Sequence, residues 1–150
     1  MSDLADKLKE LNIASAEFEQ GQVYIAADED VSIPDEKLSG RTVHPNRPVV
    51  VVTNHPSNEQ PLYPTVLCAP LSHDISRKRD TDLVVTAEDD GVNQDSLLRL
   101  GLMQPFLKVD LKGPVATLSS DRIDQMLALI LHMLGVDMEE SGVAVDMLFD

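Results

Sequence analysis

The stretch HPNRPVVVVTNHPSN, residues 44–58, contains the clearest strand of this chain. Its four consecutive valines, 49–52, form a β-branched apolar run, which is typical of a strand that is buried on both faces. Arg47 and Pro48 stand directly before the run, and two asparagines four residues apart follow it. A strand that only fills a core needs neither flank. The flanks therefore raise the question of what else the two ends of this strand do.

The sequence around this strand predicts further short strands. Clusters of Gly, Pro and polar residues separate apolar runs that have the length of strands. In chain order the predicted strands are 18–27, 49–53, 65–71, 82–87, 95–104 and 108–118, and the connections between them are a long loop at 28–46, turns at 54–61 and 88–93, and a polar segment at 72–81.

Two segments predict helices. Residues 119–135 begin with a serine that can cap free amides, carry aspartates near the positive end of the helix dipole, and stop at Gly135. Their apolar stripe would contribute roughly 1.5–3 kcal/mol per buried side chain. A shorter helix is predicted over 3–11, where leucines share one face. This order favours a mainly β, α+β fold: a small, strongly curved antiparallel sheet or barrel with a C-terminal helix at 119–135.

Length and composition narrow the class of protein. The 150 residues are 43% hydrophobic, which predicts one domain, 1–150, with a substantial core. No apolar run is long enough for a membrane span and no signal core is visible, so we expect a cytoplasmic protein without a membrane partner. The single cysteine, Cys68, lies in an apolar run and is predicted to be buried. Neither metal-ligand spacing nor a phosphate-binding glycine loop is present, so we expect no metal and no cofactor.

The acidity of the chain belongs to its two ends. The net charge of −14 divides into −7 for residues 1–40, −1 for 41–112 and −6 for 113–150. This balance argues against unspecific, high-affinity binding of nucleic acid, but it does not exclude a local anion site. The near-neutral middle contains the basic cluster Arg77-Lys78-Arg79.

Several short motifs occur in a characteristic order between residues 18 and 135. They are G-x-V-Y at 21–24, the Arg-Pro opening of the valine strand, N-x-x-x-N at 54–58, P-T-V at 64–66, A-P-L-S at 69–72 and D-S at 95–96. Together they resemble the MazF/PemK family of toxin ribonucleases, the growth-inhibiting halves of toxin–antitoxin pairs. The resemblance implies an SH3-like small barrel, shared with CcdB-type toxins, and a homodimer with a cognate antitoxin and single-stranded RNA as partners.

The resemblance also implies site residues. The catalytic arginine of the family falls on Arg47, and its hydroxyl partner falls on Ser72. In such enzymes the 2′-hydroxyl of RNA attacks the adjacent phosphate without a metal, leaving a 2′,3′-cyclic phosphate and a 5′-hydroxyl. A guanidinium is a planar, always-charged fork for phosphate oxygens, and a short hydroxyl can donate to another oxygen. The predicted RNA contacts are Arg77, Lys78, Arg79, Asn54, Asn58 and Gln104.

The sequence departs from the family pattern at two places that matter for these predictions. Thr42 stands where the family often has an acidic residue. Pro105-Phe106 follows Gln104 where the family has a hydrophobic residue and an arginine, and Lys108 is a candidate replacement for that arginine.

The apolar run 97–103 has more hydrophobic surface than one sheet face needs, which predicts a dimer interface.

Structural interpretations stay open beside the functional ones. Arg47 could be a salt-bridged strand-end residue, the asparagines plain turn residues, and the basic cluster and His73 solvated loop residues. At the level of the whole chain, the alternative to an RNA endonuclease is a non-catalytic member of the same fold that acts by binding protein. If Arg47, Ser72 and the basic cluster lie together in the fold, the endonuclease is favoured over the protein-binding alternative. The acidic segment 1–16 has an alternative role as an internal cover of the RNA groove, and the acidic tail 136–150 has no assignment.

Overall fold

The computed structural model describes residues 18–34 and 44–136. The predicted helix 3–11, the segment 1–16, Thr42 and all but the first residue of the tail 136–150 lie outside the described residues. The strands are β1 (Gln22–Ala27), β2 (Asn46–Val51), β3 (Thr65–Ser72), β4 (Asp82–Val85), β5 (Ser96–Arg99), β6 (Gln104–Leu107) and β7 (Lys112–Thr117). The helices are α1 (Ala87–Asp90) and α2 (Ser120–Met133), and 3₁₀ turns cover Asp28–Asp30, Pro56–Glu59, Ile75–Arg77, Leu100–Leu102 and Lys108–Asp110.

The strands form one antiparallel sheet in the order β4-β5-β3-β2-β1-β7, with β6 also paired to β3. One edge of β3 pairs with β2, and its other edge pairs first with β6 and then with β5. Among the described strands no pairing joins β7 to β4 or β6, so the barrel-like sheet is open. The predicted mainly β fold with a C-terminal helix is confirmed.

The segment 95–104, predicted as one strand, is two strands. β5 ends at Arg99, a 3₁₀ turn follows, and β6 starts at Gln104. The turn lets the chain pair twice along the same edge of β3. Leu97, Leu98 and Leu100 are at most 1% exposed, because they fill the core of their own chain. These three leucines are therefore core residues, whereas Leu102 and Met103 are partly exposed, and the interface at 97–103 stays a prediction.

Side chains of the central strands alternate between two hydrophobic clusters. Cluster 1 includes Phe18, Tyr24, Val49, Val51, Cys68 and Phe106, and cluster 2 includes Val23, Val50, Ala69, Leu71, Leu98 and Met126. Because successive strand residues point to opposite faces, the valine run supplies both clusters, as its composition predicts. Burial raises the pKa of the Cys68 thiol to about 12.

Gly21 lets the chain pass close to α2. Its φ is +88°, and an added Cβ would lie 2.4 Å from Cδ1 of Ile123. Its backbone is also paired on both sides: its amide donates to the carbonyl of Val51 at 2.8 Å, and its carbonyl accepts from the amide of Leu118 at 2.9 Å. The glycine of the G-x-V-Y motif is thus required by the packing of the helix on the sheet.

We expect Gly21→Ala to lower the free energy of unfolding by about 2–5 kcal/mol. A positive φ costs an L side chain about 1–2 kcal/mol, and the displacement of Ile123 adds about 1–3 kcal/mol of overpacking. Gly135→Ala is the matched control, because Gly135 has a φ of +80° and no atom within 4 Å. Urea unfolding followed by circular dichroism measures both, and equal losses would contradict the packing argument.

Asp90 connects the start of α2 to α1. Its buried carboxylate accepts hydrogen bonds from the amide of Thr86 at 2.9 Å, from the amide and hydroxyl of Ser119, each at 3.1 Å, and from Nε of Arg122 at 3.0 Å. Burial by itself would raise the pKa of Asp90. The hydrogen bonds from Thr86 and Ser119 and the charge of Arg122 outweigh burial, so the pKa lies below its ordinary value.

The stability of the fold should therefore decrease in acid. Because the folded-state pKa of Asp90 is below the unfolded-state value of about 3.9, its carboxylate stabilises the fold above about pH 4, and this contribution disappears as the pH falls through the folded-state pKa. At pH 7, Asp90→Asn should lose about 2–3 kcal/mol of unfolding free energy. Urea unfolding at pH values from about 7 to about 2 checks this, and identical pH profiles for both proteins would exclude Asp90 as the group responsible.

Candidate functional site

Arg47 and Ser72 lie at the same end of the sheet. The β2–β3 register places Val49 opposite Pro70, and two further residues of the same register bring Arg47 opposite Ser72. Alternation along the strands puts both side chains on the face of cluster 1. Nη1 of Arg47 donates to the carbonyl of Leu71 at 3.2 Å. The two residues that the motifs pair are therefore neighbours across the sheet.

The buried carboxylate of Asp28 binds Arg47. The sequence motifs did not predict this residue as part of the site. Asp28 follows β1 and is 0% exposed. Its Oδ1 accepts from Nε of Arg47 at 2.6 Å, and its Oδ2 accepts from the amide of His44 at 2.8 Å. The amide of Asp28 donates to the carbonyl of Pro45 at 3.3 Å. One aspartate thus joins both ends of the long connection between β1 and β2.

The guanidinium of Arg47 retains donors for a ligand. The side chain is 13% exposed and has five N–H groups, of which Nε–H and one Nη1–H are used by Asp28 and Leu71. Within residues 18–34 and 44–136, the other three N–H groups have no hydrogen-bond partner. Arg47 is therefore salt-bridged, as the structural interpretation held, and part of its guanidinium has no partner within the described residues.

A pocket of about 440 Å³ lies on the opposite face of the same strands. Its apolar walls come from Val23, Ile25, Pro48, Leu71, Val92, Val115 and Ala116, and polar groups come from Asn46, His73, Asn93, Gln94 and Ser96. Nδ1 of His73 lies 3.3 Å from the hydroxyl of Ser96. Among the described residues, no charged side chain lines the pocket. Because Pro48 and Leu71 are the chain neighbours of Arg47 and Ser72, the pocket and the Arg47–Ser72 pair share one end of the sheet.

The basic cluster starts close to this end. β3 finishes at Ser72, and Arg77, Lys78 and Arg79 are exposed in the loop that follows it. The side chain of Arg77 is 88% exposed and lies 3.7 Å from Asp74. The structure therefore brings Arg47 and Ser72 together and begins the basic loop beside them.

Asn54 and Asn58 lie beyond the other end of β2. Asn54 is exposed, whereas Asn58 is 5% exposed. Nδ2 of Asn58 donates to the carbonyls of Thr53 at 2.7 Å and Phe18 at 2.9 Å, and its Oδ1 accepts from the hydroxyl of Thr53 at 3.2 Å. The amide of Asn58 is thus used by the turn, which agrees with its structural interpretation, and we leave it out of the RNA contacts proposed below.

Gln104 also makes structural contacts. Its Nε2 donates to the carbonyls of Ser32 at 3.0 Å and Leu102 at 2.9 Å, and its Oε1 accepts from the amide of Ser32 at 2.8 Å. The side chain therefore connects β6 to the segment after β1. We leave Gln104 out of the proposed RNA contacts for the same reason.

Lys108 does not replace the arginine that the family pattern would place after Gln104. Its side chain is buried, and its Nζ donates to the carbonyls of Ser57 at 2.7 Å and Gln60 at 3.0 Å. The ammonium also lies 5.6 Å from the ring centroid of Phe18. Burial lowers the pKa of Lys108. This lysine holds the turn at Pro56–Glu59 and does not reach solvent.

In the described part of the chain, no group of three or more His, Cys, Asp or Glu side chains is arranged to hold a metal ion. No helix in the same residues combines the length and the apolar character needed to cross a membrane.

Comparison with known proteins decides the family. The family described as "PemK-like, MazF-like toxin of type II toxin-antitoxin system" matches residues 19–134. The chain belongs to this family. The resemblance that the motifs indicated is thereby confirmed, and the match extends from just before β1 to just after α2. No curated protein sequence matches this toxin.

Solved structures share the fold of this toxin. The Mycobacterium tuberculosis toxin MazF-mt6 is 21% identical, with a TM-score of 0.58, and the alignment covers 77% of this chain and 98% of that one. An Mtb toxin is 24% identical, with a TM-score of 0.51, over 57% of this chain and 90% of its own. At these identities the likeness establishes a common fold.

Proposed function

We propose that this toxin is a metal-independent endoribonuclease of single-stranded RNA that leaves a 2′,3′-cyclic phosphate and a 5′-hydroxyl. The observation that supports it best is the position of Arg47 opposite Ser72, with guanidinium donors remaining for a ligand. The toxin would act on RNA in the cytoplasm, inhibit growth, and be silenced by a cognate antitoxin. The alternative, a non-catalytic toxin that acts by binding protein, predicts no RNA cleavage.

The proposed reaction needs charge stabilisation at the phosphate. As the 2′-oxygen attacks, negative charge builds on the non-bridging oxygens, and the remaining N–H groups of Arg47 donate to them. The hydroxyl of Ser72 donates to a neighbouring oxygen. The 2′-hydroxyl loses one proton and the departing 5′-oxygen gains one, so cleavage consumes no net proton.

The uncharged pocket suits a nucleobase of the same RNA. Proteins recognise single-stranded RNA by packing bases against flat side chains and by hydrogen bonds to base edges. The aliphatic walls of the pocket offer an apolar surface for a base, and its amide, imidazole and hydroxyl groups can bind a base edge. Because the pocket and Arg47 occupy opposite faces at one end of the sheet, the RNA would pass around that end.

We also propose that the toxin is a homodimer, as its family membership implies. Leu97, Leu98 and Leu100 are buried within the chain, so the rest of the run 97–103 and other surfaces would have to supply the interface. Exposed apolar side chains occur on β7 and after α2, where Val115 is 58% and Leu134 is 71% exposed.

Arg47→Ala should reduce cleavage of mixed-sequence single-stranded RNA in EDTA by about 10²–10³-fold, as for the loss of one transition-state donor. It should also destabilise the fold by about 1.5–3 kcal/mol, because the charged hydrogen bond between the guanidinium and the carboxylate of Asp28 is lost. Arg47→Lys separates these effects, since a lysine leaves a cation near Asp28 but cannot form the planar fork. Gel analysis of the fragments and urea unfolding measure the two losses.

The controls for this experiment are the parent protein and Arg99→Lys, which changes an arginine that is paired with buried Asp82 at 3.2 Å outside the site. Arg99→Lys should cleave like the parent. If Arg47→Ala cleaves as fast as the parent, the assignment of the site is wrong. If the parent itself yields no discrete fragments, the nuclease proposal fails and the protein-binding alternative is favoured.

The basic cluster Arg77-Lys78-Arg79 should determine the salt dependence of RNA binding. Each phosphate contact to a single strand contributes a slope of about −0.7 in log affinity against log salt. Replacing Arg77, Lys78 and Arg79 by alanine should flatten the slope by about 2. The acidic ends should interfere little where they lie beyond the Debye length of about 8 Å. Fluorescence anisotropy of labelled RNA, in an Arg47→Lys background that limits cleavage, provides the measurement; an unchanged slope would remove the loop from the RNA site.

A further inference from the structure

We propose that Asp28 is the positioning residue of the RNA-cleaving site: its carboxylate orients the guanidinium of Arg47 so that Nη groups, and not Nε, face the phosphate. This inference rests on the proposed nuclease function and deepens it. Asp28 does not touch RNA in this proposal, because it is 0% exposed and acts through Arg47.

The contacts hold the guanidinium at two separate points. Nε is bound to Oδ1 of Asp28 at 2.6 Å, and Nη1 is bound to the carbonyl of Leu71 at 3.2 Å. The carboxylate is itself fixed, because its Oδ2 accepts from the amide of His44 and the Asp28 amide donates to Pro45. A planar group held at Nε and at one Nη1–H has a single orientation. The N–H groups that remain therefore point in fixed directions from the end of the sheet.

Electrostatics indicates that the role of Asp28 is orientation and not attraction. A carboxylate in contact with Arg47 cancels part of the positive charge that draws RNA to the site. An aspartate at this place therefore opposes ground-state binding. Asp28 instead holds the N–H donors of Arg47 in the direction of the phosphate oxygens on which charge develops. The guanidinium therefore needs no reorganisation in the transition state. The expected effect of Asp28 is thus on kcat, with little or opposite effect on KM.

A second buried pair in the same chain provides the matched control. Nε of Arg122 lies 3.0 Å from Oδ2 of Asp90, with side chains 15% and 0% exposed, against 13% and 0% for Arg47 and Asp28. Both aspartates also accept backbone amides. The two pairs are alike in burial and in the contact between Nε and the carboxylate, but of the two only the pair of Asp28 and Arg47 lies beside Ser72.

The kinetic test uses Asp28→Asn, which keeps the shape of the side chain. It should lower kcat on single-stranded RNA by about tenfold or more, with KM unchanged or lower. Asp90→Asn should be less stable but should keep kcat within about twofold of the parent. Since Asp28 acts through Arg47, adding Asp28→Asn to Arg47→Lys should cause no further loss of kcat. Equal effects of the two asparagine variants on kcat, or additive losses in the double variant, would overturn the proposal.

An NMR readout separates this inference from the nuclease proposal. The Nε–Hε signal of Arg47, identified by its loss in Arg47→Lys, should be shifted downfield and exchange slowly with water in the parent protein. It should lose both properties in Asp28→Asn and keep them in Asp90→Asn. An unshifted, rapidly exchanging signal in the parent would overturn the positioning role, even if Asp28→Asn does not fold. A shifted signal in a parent that cleaves no RNA would support the positioning of Arg47 and reject the nuclease function.

Discussion

The antiparallel register of β2 and β3 is the constraint on which the other relations in this toxin depend. With Val50 opposite Ala69, the valines of β2 divide between two hydrophobic clusters, and the ends of the strands bring Arg47 to Ser72. A slip of one residue would move every side chain of β2 to the other face of the sheet. Valines would still face both clusters, but Arg47 would turn to the face of cluster 2, away from Asp28 and Ser72. The core and the candidate site are therefore specified by the same pairing.

The electrostatic organisation of the chain explains how so acidic a protein can have an anion site. Three buried aspartates, Asp28, Asp82 and Asp90, each pair with Nε of one arginine. Burial of either partner alone would be unfavourable, and the pair with its added hydrogen bonds is tolerated. The arginines of two of these pairs support the fold. Arg47 differs because its pair lies at an end of the sheet, beside Ser72 and the start of the basic loop.

The residues that a family pattern would assign to RNA divide into two groups in this toxin. Arg47 and Ser72 lie at one end of the sheet, where the loop that carries the basic cluster begins. Asn58 and Lys108 are buried, and their polar groups satisfy backbone groups of the turn that follows β2. This division favours a compact phosphate site near Arg47 over an extended contact along the whole of β2.

The sequence alone determined the features that depend on near neighbours in the chain. The valine strand, the helix that begins at the cap of Ser119, and the motif order that identifies the family all follow from local periodicity, capping chemistry and spacing. Arg47 and Ser72 could be named because each belongs to such a motif.

Only the tertiary structure decided the relations between distant residues. The partnership of Asp28 with Arg47 depends on the β1–β2 register, which a long connection conceals from the sequence. The division of 95–104 into two strands depends on which edge of β3 is available. The burial of Asn58 and Lys108 depends on carbonyls that are presented by a folded turn. In each case the same local residues are compatible with several pairings, and the energy that selects one of them comes from contacts across the sheet.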